Sequence, residues 1–444
     1  MFFSLTQGIT FALKRLESCG FSAYLVGGCV RDFILGKFPD DFDITTSAYP
    51  DEICKVFEDK KLVLNGMKHG TVAVVIEGEL VEITSFRLDG KYINHRHPES
   101  VSFTRSLEED LKRRDFTINA MAYSPSEGII DLNGGMKDIE NRIIRCVGKP
   151  GERFDEDALR ILRALRFSCK LDFEIEGNTV QAMHEKIGFT KAVSQERKTI
   201  ELNKFMLGQN PAGLLRKYPY LFFELIPNIS QMFHCPQKSY YHCYDVWEHS
   251  LHALEYSRPT LANRWAALYH DSGKPAAISY DEDGTTHFAG HEAISVRLVD
   301  EAFDILKQKK SLKKRVLELV RYHDTRFNKN LVQYYLAQLG EECFFELMEL
   351  QRADLLAHAE HIAKNEPQID ALIAHARSLI ENKAVLSMSD MQINARTLID
   401  NGFKKDKNLG LTLNRLFQLV LLNEIENEPE ALLKKAKELI GYKD

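Results

Sequence analysis

The pattern of apolar residues changes once along this 444-residue chain, near residues 148–151. Before that point the segments AYLVGG, TVAVVIEG and LVEITSF form short apolar or alternating runs that end near Gly or Asp, as strands do. After it, long helical periodicities such as DEDALRILRALRFSCKL and AVSQERKTIELNKFML continue to the C-terminus. The sequence therefore predicts an α+β fold, in which a small mixed sheet with helices is followed by an all-helical remainder.

Two further breaks divide the helical part. The stretch YPYLFFELIPNISQMF, followed by Pro236, indicates a joint near residue 230, and Asn365-Glu366-Pro367 indicates a looser one. A chain of this length can form roughly two to four domains. We predict four parts, namely a head at 1–147, a helical neck at 148–230, a second helical domain at 231–375 and a helical tail at 376–444.

Composition excludes several classes of protein. No apolar run approaches the roughly 20 residues that a membrane helix needs, and the first residues form an amphipathic helix without a signal-peptide pattern, so we expect a cytoplasmic protein without a membrane partner. The eight cysteines form no CxxC pair, which argues against a zinc ribbon or a disulfide framework. A net charge of -6 still permits a nucleic-acid partner, because basic residues cluster locally, although each cluster alone is more typical of a solvated helix face.

Acidic residues in strand-like segments are the candidate catalytic groups. Asp41 and Asp43 alternate along a predicted strand, so both carboxylates aim at one point, where two hard oxygen ligands suit Mg²⁺. Glu82 in LVEITSF is a third candidate, and Gly27-Gly28 ends a strand in a turn whose backbone N–H groups can approach a phosphate. The alternative interpretations are a surface turn for the aspartates and a solvent-facing strand position for Glu82.

Five further motifs surround these residues in a fixed order. GGCVRD, Asp41-Phe42-Asp43, RRDFTINAMA, DLNGGMKDIENRIIRCVG, ERFDEDALRILRALRF and SQERKTIEL together resemble the class II CCA-adding tRNA nucleotidyltransferases of the poly(A) polymerase superfamily, over roughly residues 20–205. The resemblance implies a polymerase beta-like nucleotidyltransferase head. It also implies template-independent addition and repair of the 3′-terminal CCA of tRNA, from CTP and ATP, with release of pyrophosphate.

The resemblance assigns roles to individual residues. Asp41 and Asp43 would hold catalytic Mg²⁺, with Glu82 as the third catalytic carboxylate. The nucleotide-binding candidates are Gly27, Gly28, Arg31, Asp32, Arg114, Asp115, Asn119, Asp157, Arg160 and Arg163. The expected partners are CTP, ATP, and the acceptor stem and elbow of tRNA, the elbow being gripped by lysines of the tail.

Asp157 and Arg160 are predicted to select the base. At i, i+3 spacing on one helix face, the carboxylate can accept from the exocyclic amine of C or A, while the guanidinium donates to the adjacent ring nitrogen. U and G present the opposite pattern, which costs about 1 to 3 kcal/mol per unmade bond. The alternative is a surface ion pair worth about 0.3 kcal/mol.

A loop that contains Arg87, Arg96 and Glu99 is expected to move when selection changes from C to A.

Histidines and aspartates recur in the predicted second helical domain. HDSGKP, FAGHE and RYHD resemble the HD-domain phosphohydrolases, which some bacterial CCA-adding enzymes carry and which hydrolyse 2′,3′-cyclic phosphates and related phosphoesters. The candidate ligands of a divalent metal of unknown identity are His249, His270, Asp271, His291, His323 and Asp354. Asp324 is an alternative that would orient His323 from outside the metal shell.

Three rival functions use the same features. A poly(A) polymerase would share the head but add only A, and the neck motif SQERKTIELNKFM and short tail argue against it. A metal-dependent nucleotide phosphohydrolase with a merely nucleotide-binding head has no need of both Asp41 and Asp43. An RNA-binding scaffold has no need of either carboxylate-rich group. The oligomeric state stays open.

Overall fold

The computed structural model describes residues 3–90, 92–93, 97–98 and 101–440, and these form two compact units. The first unit comprises Met1–Leu214 and Tyr218–Leu225, and the second comprises Leu215–Lys217 and Ile226–Asp444. The finer division into head, neck, second domain and tail stays a prediction.

The first unit contains the main sheet. Its strands, with the short strands that follow, are β1 Ala23–Val26, β2 Asp43–Thr46, β3 Lys61–Val63, β4 Thr71–Ile76, β5 Glu79–Ser85, β6 Arg87–Asp89, β7 Tyr92–Ile93, β8 His97–Pro98, β9 Val101–Phe103, β10 Met121–Ser124, β11 Gly128–Asp131, β12 Ile143–Ile144 and β13 Glu174–Ile175. The second unit adds β14 Ser279–Tyr280 and β15 Thr286–His287.

Seven strands form one mixed sheet in the order β11-β10-β1-β2-β5-β4-β3. β2 and β5 run parallel, and the other neighbours are antiparallel. Every residue of β1 and β10 is buried, as expected for central strands covered on both faces. The parallel pair sets Asp43 opposite Glu82, so the sheet itself brings two predicted catalytic residues together.

Helices surround the sheet and continue through the rest of the first unit. They are α1 Gln7–Ser18, α2 Gly28–Ile34, α3 Pro50–Val56, α4 Leu107–Lys112, α5 Gly135–Glu140, α6 Pro150–Glu156, α7 Leu159–Leu171, α8 Gly177–Lys186, α9 Gln195–Met206, α10 Pro211–Lys217 and α11 Pro219–Leu225. The last residues of α10, Leu215–Lys217, belong to the second unit, whereas α11 belongs again to the first, and the chain stays in the second unit from Ile226 onward. Short 3₁₀ helices occur at Met67–His69, Thr117–Asn119, Ile187–Ala192, Ser230–Met232 and Met388–Asp390.

The second unit is almost entirely helical. Its helices are α12 Val246–Tyr256, α13 Leu261–Tyr269, α14 Lys274–Ala277, α15 His291–Ile305, α16 Lys310–Tyr322, α17 Lys329–Leu339, α18 Glu341–Leu356, α19 Glu360–Ala363, α20 Glu366–Glu381, α21 Ala395–Asp400, α22 Lys407–Leu421 and α23 Pro429–Leu439. Asp245 and Thr260 cap α12 and α13 by accepting backbone N–H groups of their first turns. Trp247 and Trp265 are fully buried in these two helices.

The fold class predicted from the sequence is confirmed. The predicted strands correspond to β1, β4 and β5, and only two-residue strands occur beyond residue 148 in the described chain. One helical prediction is wrong in detail, because the segment DEDALRILRALRFSCKL contains a break at Asp157 between α6 and α7. Among the described residues, none of the helices has both the length and the apolar character that crossing a bilayer requires. Arg96 and Glu99 lie outside the described residues.

Candidate functional sites

The strand-edge carboxylates, which we define as Asp41, Asp43 and Glu82, lie at one end of the parallel strand pair. Asp43 begins β2 and its Cα is in register with that of Glu82 on β5, so their side chains share a face of the sheet. All three residues are exposed. Although Asp43 as a residue is exposed, desolvation of its carboxyl group raises its pKa, Asp41 and Glu82 raise the pKa further, and Arg114 opposes them. The three carboxylates therefore repel one another in the absence of a cation.

The turn between β1 and α2 depends on glycine. Gly27 has φ 81° and ψ -130°, a conformation that side chains disfavour. A Cβ on Gly27 would also lie 3.5 Å from Nη1 of Arg114. The predicted phosphate-binding glycine thus leaves room beside an arginine that the sequence also placed at the nucleotide.

Arg31 is buried and anchored below this turn. Its guanidinium donates to Oδ1 of Asp32 at 2.8 Å and to Oδ1 of Asn119 at 2.6 Å. Only 3% of Arg31 is exposed. The structure therefore brings these three predicted nucleotide-binding residues together, with the charge of Arg31 fixed by its neighbours.

A buried aspartate that the sequence reasoning missed holds Arg114. Asp110 is fully buried, and its carboxylate accepts from Arg114 Nη2 at 2.9 Å and from Arg113 Nε at 3.0 Å. Burial alone would raise the pKa of Asp110, but the two guanidinium charges outweigh burial and lower it. The i, i+3 and i, i+4 spacing of Asp110 from two arginines was the available signal.

Asp115 connects the turn to helix α7. One of its oxygens accepts from the Phe116 N–H at 2.8 Å and from Asn119 Nδ2 at 3.3 Å, and the other accepts from Arg163 Nε at 2.7 Å. Burial would raise the pKa of Asp115, but Arg163 outweighs it and the pKa is lowered. Asp115, Asn119 and Arg163 are therefore linked, and Asn119 extends the network to Arg31.

Asp157 does not lie on one helix face with Arg160, contrary to the prediction. It is the C-cap of α6, with extended backbone, and α7 begins only at Leu159. Its carboxylate accepts from the Leu159 N–H at 3.0 Å and from Arg197 Nη2 at 2.8 Å. Helical spacing was misleading here because Asp157 ends α6, and its carboxylate accepts the N–H of Leu159, the first residue of α7, in a position between helices that aspartate favours.

Arg160 has partners of its own. It donates to Oε2 of Glu156 at 2.5 Å, to the Arg153 carbonyl at 3.2 Å and to the Arg113 carbonyl at 2.9 Å. The two predicted base-selecting side chains are close in sequence and are each held by a separate partner, Arg197 for Asp157 and Glu156 for Arg160. Arg197 lies in the SQERKTIEL motif and was not recognised from the sequence.

The histidine cluster is the second candidate site, and five helices of the second unit contribute to it. Its members, which sit in or directly after α12, α13, α15, α16 and α18, are His249, His270, Asp271, His291, His323 and Asp354. The structure thus brings together all six residues predicted as metal ligands. His270 is 0% and Asp271 is 2% exposed.

Backbone carbonyls orient the four imidazoles. Nδ1 lies 3.2 Å from the Ala357 carbonyl in His249, 2.8 Å from Ala267 in His270, 2.9 Å from Phe288 in His291 and 2.7 Å from Val320 in His323. A carbonyl only accepts, so each Nδ1 carries a proton and each Nε2 presents a lone pair when the ring is neutral. Asp324 is exposed, and the Val320 carbonyl occupies the orienting position proposed for it.

Asp271 lies at the centre of the cluster. Its Oδ2 is 3.2 Å from His270 Nε2, and its Oδ1 is 3.2 Å from His291 Nε2. Burial would lower the pKa of His270, but Asp271 and Asp354 outweigh it and raise the pKa to about 10. Burial lowers the pKa of His249. In the absence of a metal, the negative charges of the cluster are therefore balanced by a protonated imidazole.

Two residues beside the cluster were missed by sequence reasoning. Lys274 Nζ lies 2.6 Å from Asp271 Oδ2 and donates to Gln237 Oε1 at 2.7 Å. Gly273 lets α15 approach, because a Cβ there would overlap the carbonyl of His291. The HDSGKP motif contains both Lys274 and Gly273, so the motif itself was the available signal.

Comparisons with known proteins agree with the sequence resemblance. The family described as the poly A polymerase head domain matches residues 23–145, the probable RNA and SrmB-binding site of polymerase A matches 172–227, and the putative tRNA nucleotidyltransferase domain 2 matches 295–436. The CCA-adding enzyme of Lactobacillus helveticus is 33% identical over 427 residues, 96% of each chain. That of Latilactobacillus sakei is 35% identical over 425 residues, again 96% of each.

Among solved structures, the Bacillus stearothermophilus CCA-adding enzyme in complex with CTP matches with a TM-score of 0.75 and 28% identity, covering 98% of this chain and 97% of that one. The similarity thus extends through both units, well beyond residues 20–205 where the motifs were recognised. Since relatives above 30% identity align over nearly the whole length, the chain belongs to the CCA-adding enzymes, a family of tRNA nucleotidyltransferases.

Proposed function

We propose that the chain completes and repairs the 3′-terminal CCA of tRNA at the strand-edge carboxylates, using CTP and ATP and releasing pyrophosphate. The observation that carries the proposal is the register of Asp43 with Glu82 on parallel strands, with Asp41 and Arg114 close enough to alter the pKa of Asp43. Family membership supports the reaction, and the Bacillus stearothermophilus relative binds CTP.

The strand-edge carboxylates fit a hard divalent cation. They offer exposed oxygen ligands, and the pKa of Asp43 is raised by desolvation and then by the charges of Asp41 and Glu82, whose repulsion a cation would relieve. Mg²⁺ bound there would supply charge neutralisation at the phosphates and activation of the attacking 3′-hydroxyl. Asp41, Asp43 and Glu82 are the residues that would hold it.

Arginines position the triphosphate in this proposal. Arg114 is held by Asp110 and points beside Gly27, where no side chain blocks a phosphate. The Asn119 and Asp115 network fixes Arg31 behind it. Because these cations are anchored before substrate arrives, little side-chain entropy is lost when the nucleotide binds.

Base selection falls to Asp157 and Arg160 in the same proposal. A carboxylate oxygen can accept more than one hydrogen bond, so Asp157 can keep Arg197 and also accept from the exocyclic amine of C or A. Arg160 would donate to the neighbouring ring nitrogen. Because the chain breaks between α6 and α7, a shared helix face does not align the two side chains. Arg197 orients Asp157, and Glu156 orients Arg160.

We further propose that tRNA contacts both units through its backbone, with the acceptor stem at the first unit and the elbow at the tail. Lys404, Lys405 and Lys407 are exposed at the start of α22 and would contact phosphates there. The charge reversals Lys404→Glu and Lys405→Glu should raise the KM for tRNA and leave kcat unchanged. An unchanged KM at several salt concentrations would remove the tail from the tRNA site.

The test of the main proposal is a primer-extension assay. The purified chain is incubated with Mg²⁺, with CTP and ATP separately and together, and with a tRNA transcript that lacks its terminal CCA. Extension by CC with CTP alone, by A only when ATP is also present, and no further growth is the expected result. Asp41→Ala with Asp43→Ala should abolish extension, whereas Asp40→Ala, an exposed neighbour, is the matched control. An open ladder with ATP alone would instead establish poly(A) polymerase activity.

A second activity is proposed for the histidine cluster, namely metal-dependent hydrolysis of phosphoesters such as 2′,3′-cyclic phosphates. The supporting observation is the convergence of four Nε2 atoms and two carboxylates, with every Nδ1 tied to a carbonyl. This donor set fits a divalent transition metal. Lys274 is buried next to Asp271, where its charge could hold a phosphate oxygen.

This activity is tested with adenosine 2′,3′-cyclic phosphate and p-nitrophenyl phosphate in the presence of Mn²⁺, Ni²⁺ or EDTA. We expect metal-dependent turnover that His270→Ala abolishes. His252→Ala is the matched control, because His252 lies on α12 outside the cluster and contacts Glu255. Turnover that persists in His270→Ala would place the hydrolysis elsewhere.

A further inference from the structure

Helix α16 carries a row of basic side chains along one face. Lys310, Lys314 and Arg321 are exposed, and with the half-buried Leu317 they follow one another at intervals of four, three and four residues. In a helix this spacing places them within about 60° of one another around the axis, over a length of about 16 Å. We define Lys310, Lys314 and Arg321 as the basic stripe. The buried residues of α16 lie on the opposite face, so the stripe is directed to solvent.

Other basic residues of α16 are paired with acidic residues, whereas the basic stripe is not. Lys313 Nζ lies 2.8 Å from Asp300 Oδ1 and 2.6 Å from Asp304 Oδ1, both on α15. Arg315 contacts two glutamates of α18, at 2.7 Å and 2.6 Å. Among the described residues, no carboxylate forms an ion pair with a member of the stripe. The paired cations thus connect α16 to neighbouring helices, and the stripe has no such role.

The stripe does not stabilise the helix that carries it. The first turn of α16 contains no acidic residue, and Lys309 and Lys310 stand at its start. The N-terminal end of a helix carries partial positive charge and favours acidic side chains, so lysines there oppose the helix dipole. Lys310 and Lys314 also repel each other, because like charges four residues apart are neighbours on a helix. A polyanion bound along the stripe would relieve both effects.

A hollow of about 330 Å³ lies along the stripe. The residues that line it are Lys310, Lys313, Lys314, Leu317, Glu318 and Arg321. Four of these side chains are basic and one is acidic, and the Glu318 carboxylate accepts from the Cys343 thiol at 3.6 Å. None of these lining residues is aromatic, so the hollow offers positive charge rather than a surface on which bases stack. These properties fit a phosphate backbone.

We propose that the basic stripe binds the phosphate backbone of tRNA, a proposal that rests on the proposed addition of CCA. Lysine and arginine contact phosphates without reading sequence. Such contacts suit substrates that differ in sequence but share the shape and backbone charge of a folded RNA. The stripe on α16 is therefore a tRNA contact in addition to the tail lysines on α22, and it contributes affinity rather than chemistry.

The salt dependence of tRNA binding tests this proposal. The parent is the full chain with Asp41→Ala and Asp43→Ala, which prevents extension during the measurement, and the probe is a labelled tRNA transcript that lacks its CCA. Each basic residue that neutralises a phosphate adds about 0.7 to 0.9 to the slope of log Kd against log salt concentration. Lys310→Gln, Lys314→Gln and Arg321→Gln together should lower this slope by about 2 to 3 and raise Kd at least about 10-fold at about 50 mM salt.

A control variant removes the same charge from paired positions of the second unit. Arg297, Lys364 and Lys435 each lie within ion-pair distance of an acidic residue on their own helix or beside it. Arg297→Gln, Lys364→Gln and Lys435→Gln together should leave both Kd and the slope unchanged.

A second variant keeps the charge of the stripe. Lys310→Arg, Lys314→Arg and Arg321→Lys together should retain the slope of the parent. In the chain with intact Asp41 and Asp43, the glutamine variant of the stripe should raise the KM for tRNA and leave kcat unchanged. An unchanged tryptophan fluorescence maximum shows that the second unit of each variant is folded, since Trp247 and Trp265 are buried there.

The outcomes distinguish this proposal from the one beneath it. A parent that binds tRNA with a slope unaffected by the glutamine variant makes the stripe a solvated helix face and keeps the proposed function. An equal loss of affinity in the charge-keeping variant assigns the effect to the packing of α16 and also overturns the proposal. A parent that does not bind tRNA overturns both.

Discussion

The strand-edge carboxylates and the histidine cluster are both candidate metal sites, but the first is exposed to solvent and the second is buried. The carboxylates are exposed, carry like charge, and owe their proximity to the register of β2 and β5. The imidazoles of the cluster are buried and are each oriented by a carbonyl of the backbone. In our proposals, a cation and a triphosphate complete the first arrangement, whereas the ligands of the second are oriented before a metal binds. A site that releases product in every cycle and a site that retains its metal would then need different degrees of burial.

In the first unit, buried aspartates hold the arginine side chains in place before any nucleotide binds. Asp110 holds Arg113 and Arg114, and Asp115 holds Arg163, in each case through a buried carboxylate whose pKa the arginine lowers. In the second unit, backbone carbonyls instead orient the proposed metal ligands themselves. The comparison therefore predicts that the two sites respond differently to loss of a buried carboxylate.

The largest effect is expected for Asp271→Asn. The neutral amide of asparagine is a weaker ligand for a divalent cation than the carboxylate that it replaces, so bound metal should fall below detection and phosphoester hydrolysis should drop by at least about 10²-fold. Addition of CCA should change less than about 2-fold, because the strand-edge carboxylates supply that reaction with its own cation. Both activities are measured on one preparation, with metal content as the third readout. A parallel loss of CCA addition would show that the two sites are not independent.

The next largest effect is expected for Arg163→Met, which should reduce the stability of the first unit. Removing the partner of a buried carboxylate leaves Asp115 uncompensated, which costs about 3 to 5 kcal/mol. The chain contains two tryptophans, Trp247 and Trp265, and both lie in the second unit. Urea unfolding followed by tryptophan fluorescence should therefore keep its midpoint in Arg163→Met, while the far-ultraviolet circular dichroism shows an earlier transition. A shift of both signals would contradict the separation of the units.

The sequence predicted the fold class because strand and helix periodicities are local signals. It placed Asp41 and Asp43 together on a strand, whereas β2 begins only at Asp43, and it named Glu82 without showing that β2 and β5 pair. The sequence also named the six members of the histidine cluster, but not their distances from one another, since these depend on how five helices pack. The break at Asp157 was missed because the helical periodicity of the segment outweighed a signal that was present, namely the preference of aspartate for positions at helix ends. Asp110 and Arg197 were missed because their roles arise from partners rather than from a motif.

A pH-dependent effect is expected from Asp110. Its pKa in the folded protein lies below the usual value because Arg114 and Arg113 outweigh burial, so its stabilising contribution is complete above about pH 5 and is lost as the pH falls through the folded pKa. Asp110→Asn should destabilise the first unit by about 2 to 3 kcal/mol near neutrality. The difference from wild type should shrink toward pH 3 in circular-dichroism unfolding. A difference that is constant with pH would mean that packing, and not charge, accounts for the loss.

The smallest effect, and the finest test of the comparison, is expected for Arg197→Met. Arg197 is a positioning residue in our proposal, since its 2.8 Å bond to Asp157 orients the carboxylate that reads the base. Loss of that orientation should reduce the preference for CTP over UTP by about 5-fold, corresponding to about 1 kcal/mol, as measured by kcat/KM for each nucleotide. Arg197→Lys should recover part of the preference, and Lys204→Met, an exposed position on the same helix, should have no effect. If Arg197→Met instead lowers kcat/KM equally for both nucleotides, Arg197 only supports helix packing. Base selection would then not depend on Arg197 holding the Asp157 carboxylate before the nucleotide binds. In that case the first unit would hold only its phosphate-binding arginines in place before substrate binds, and the nucleotide itself would order Asp157.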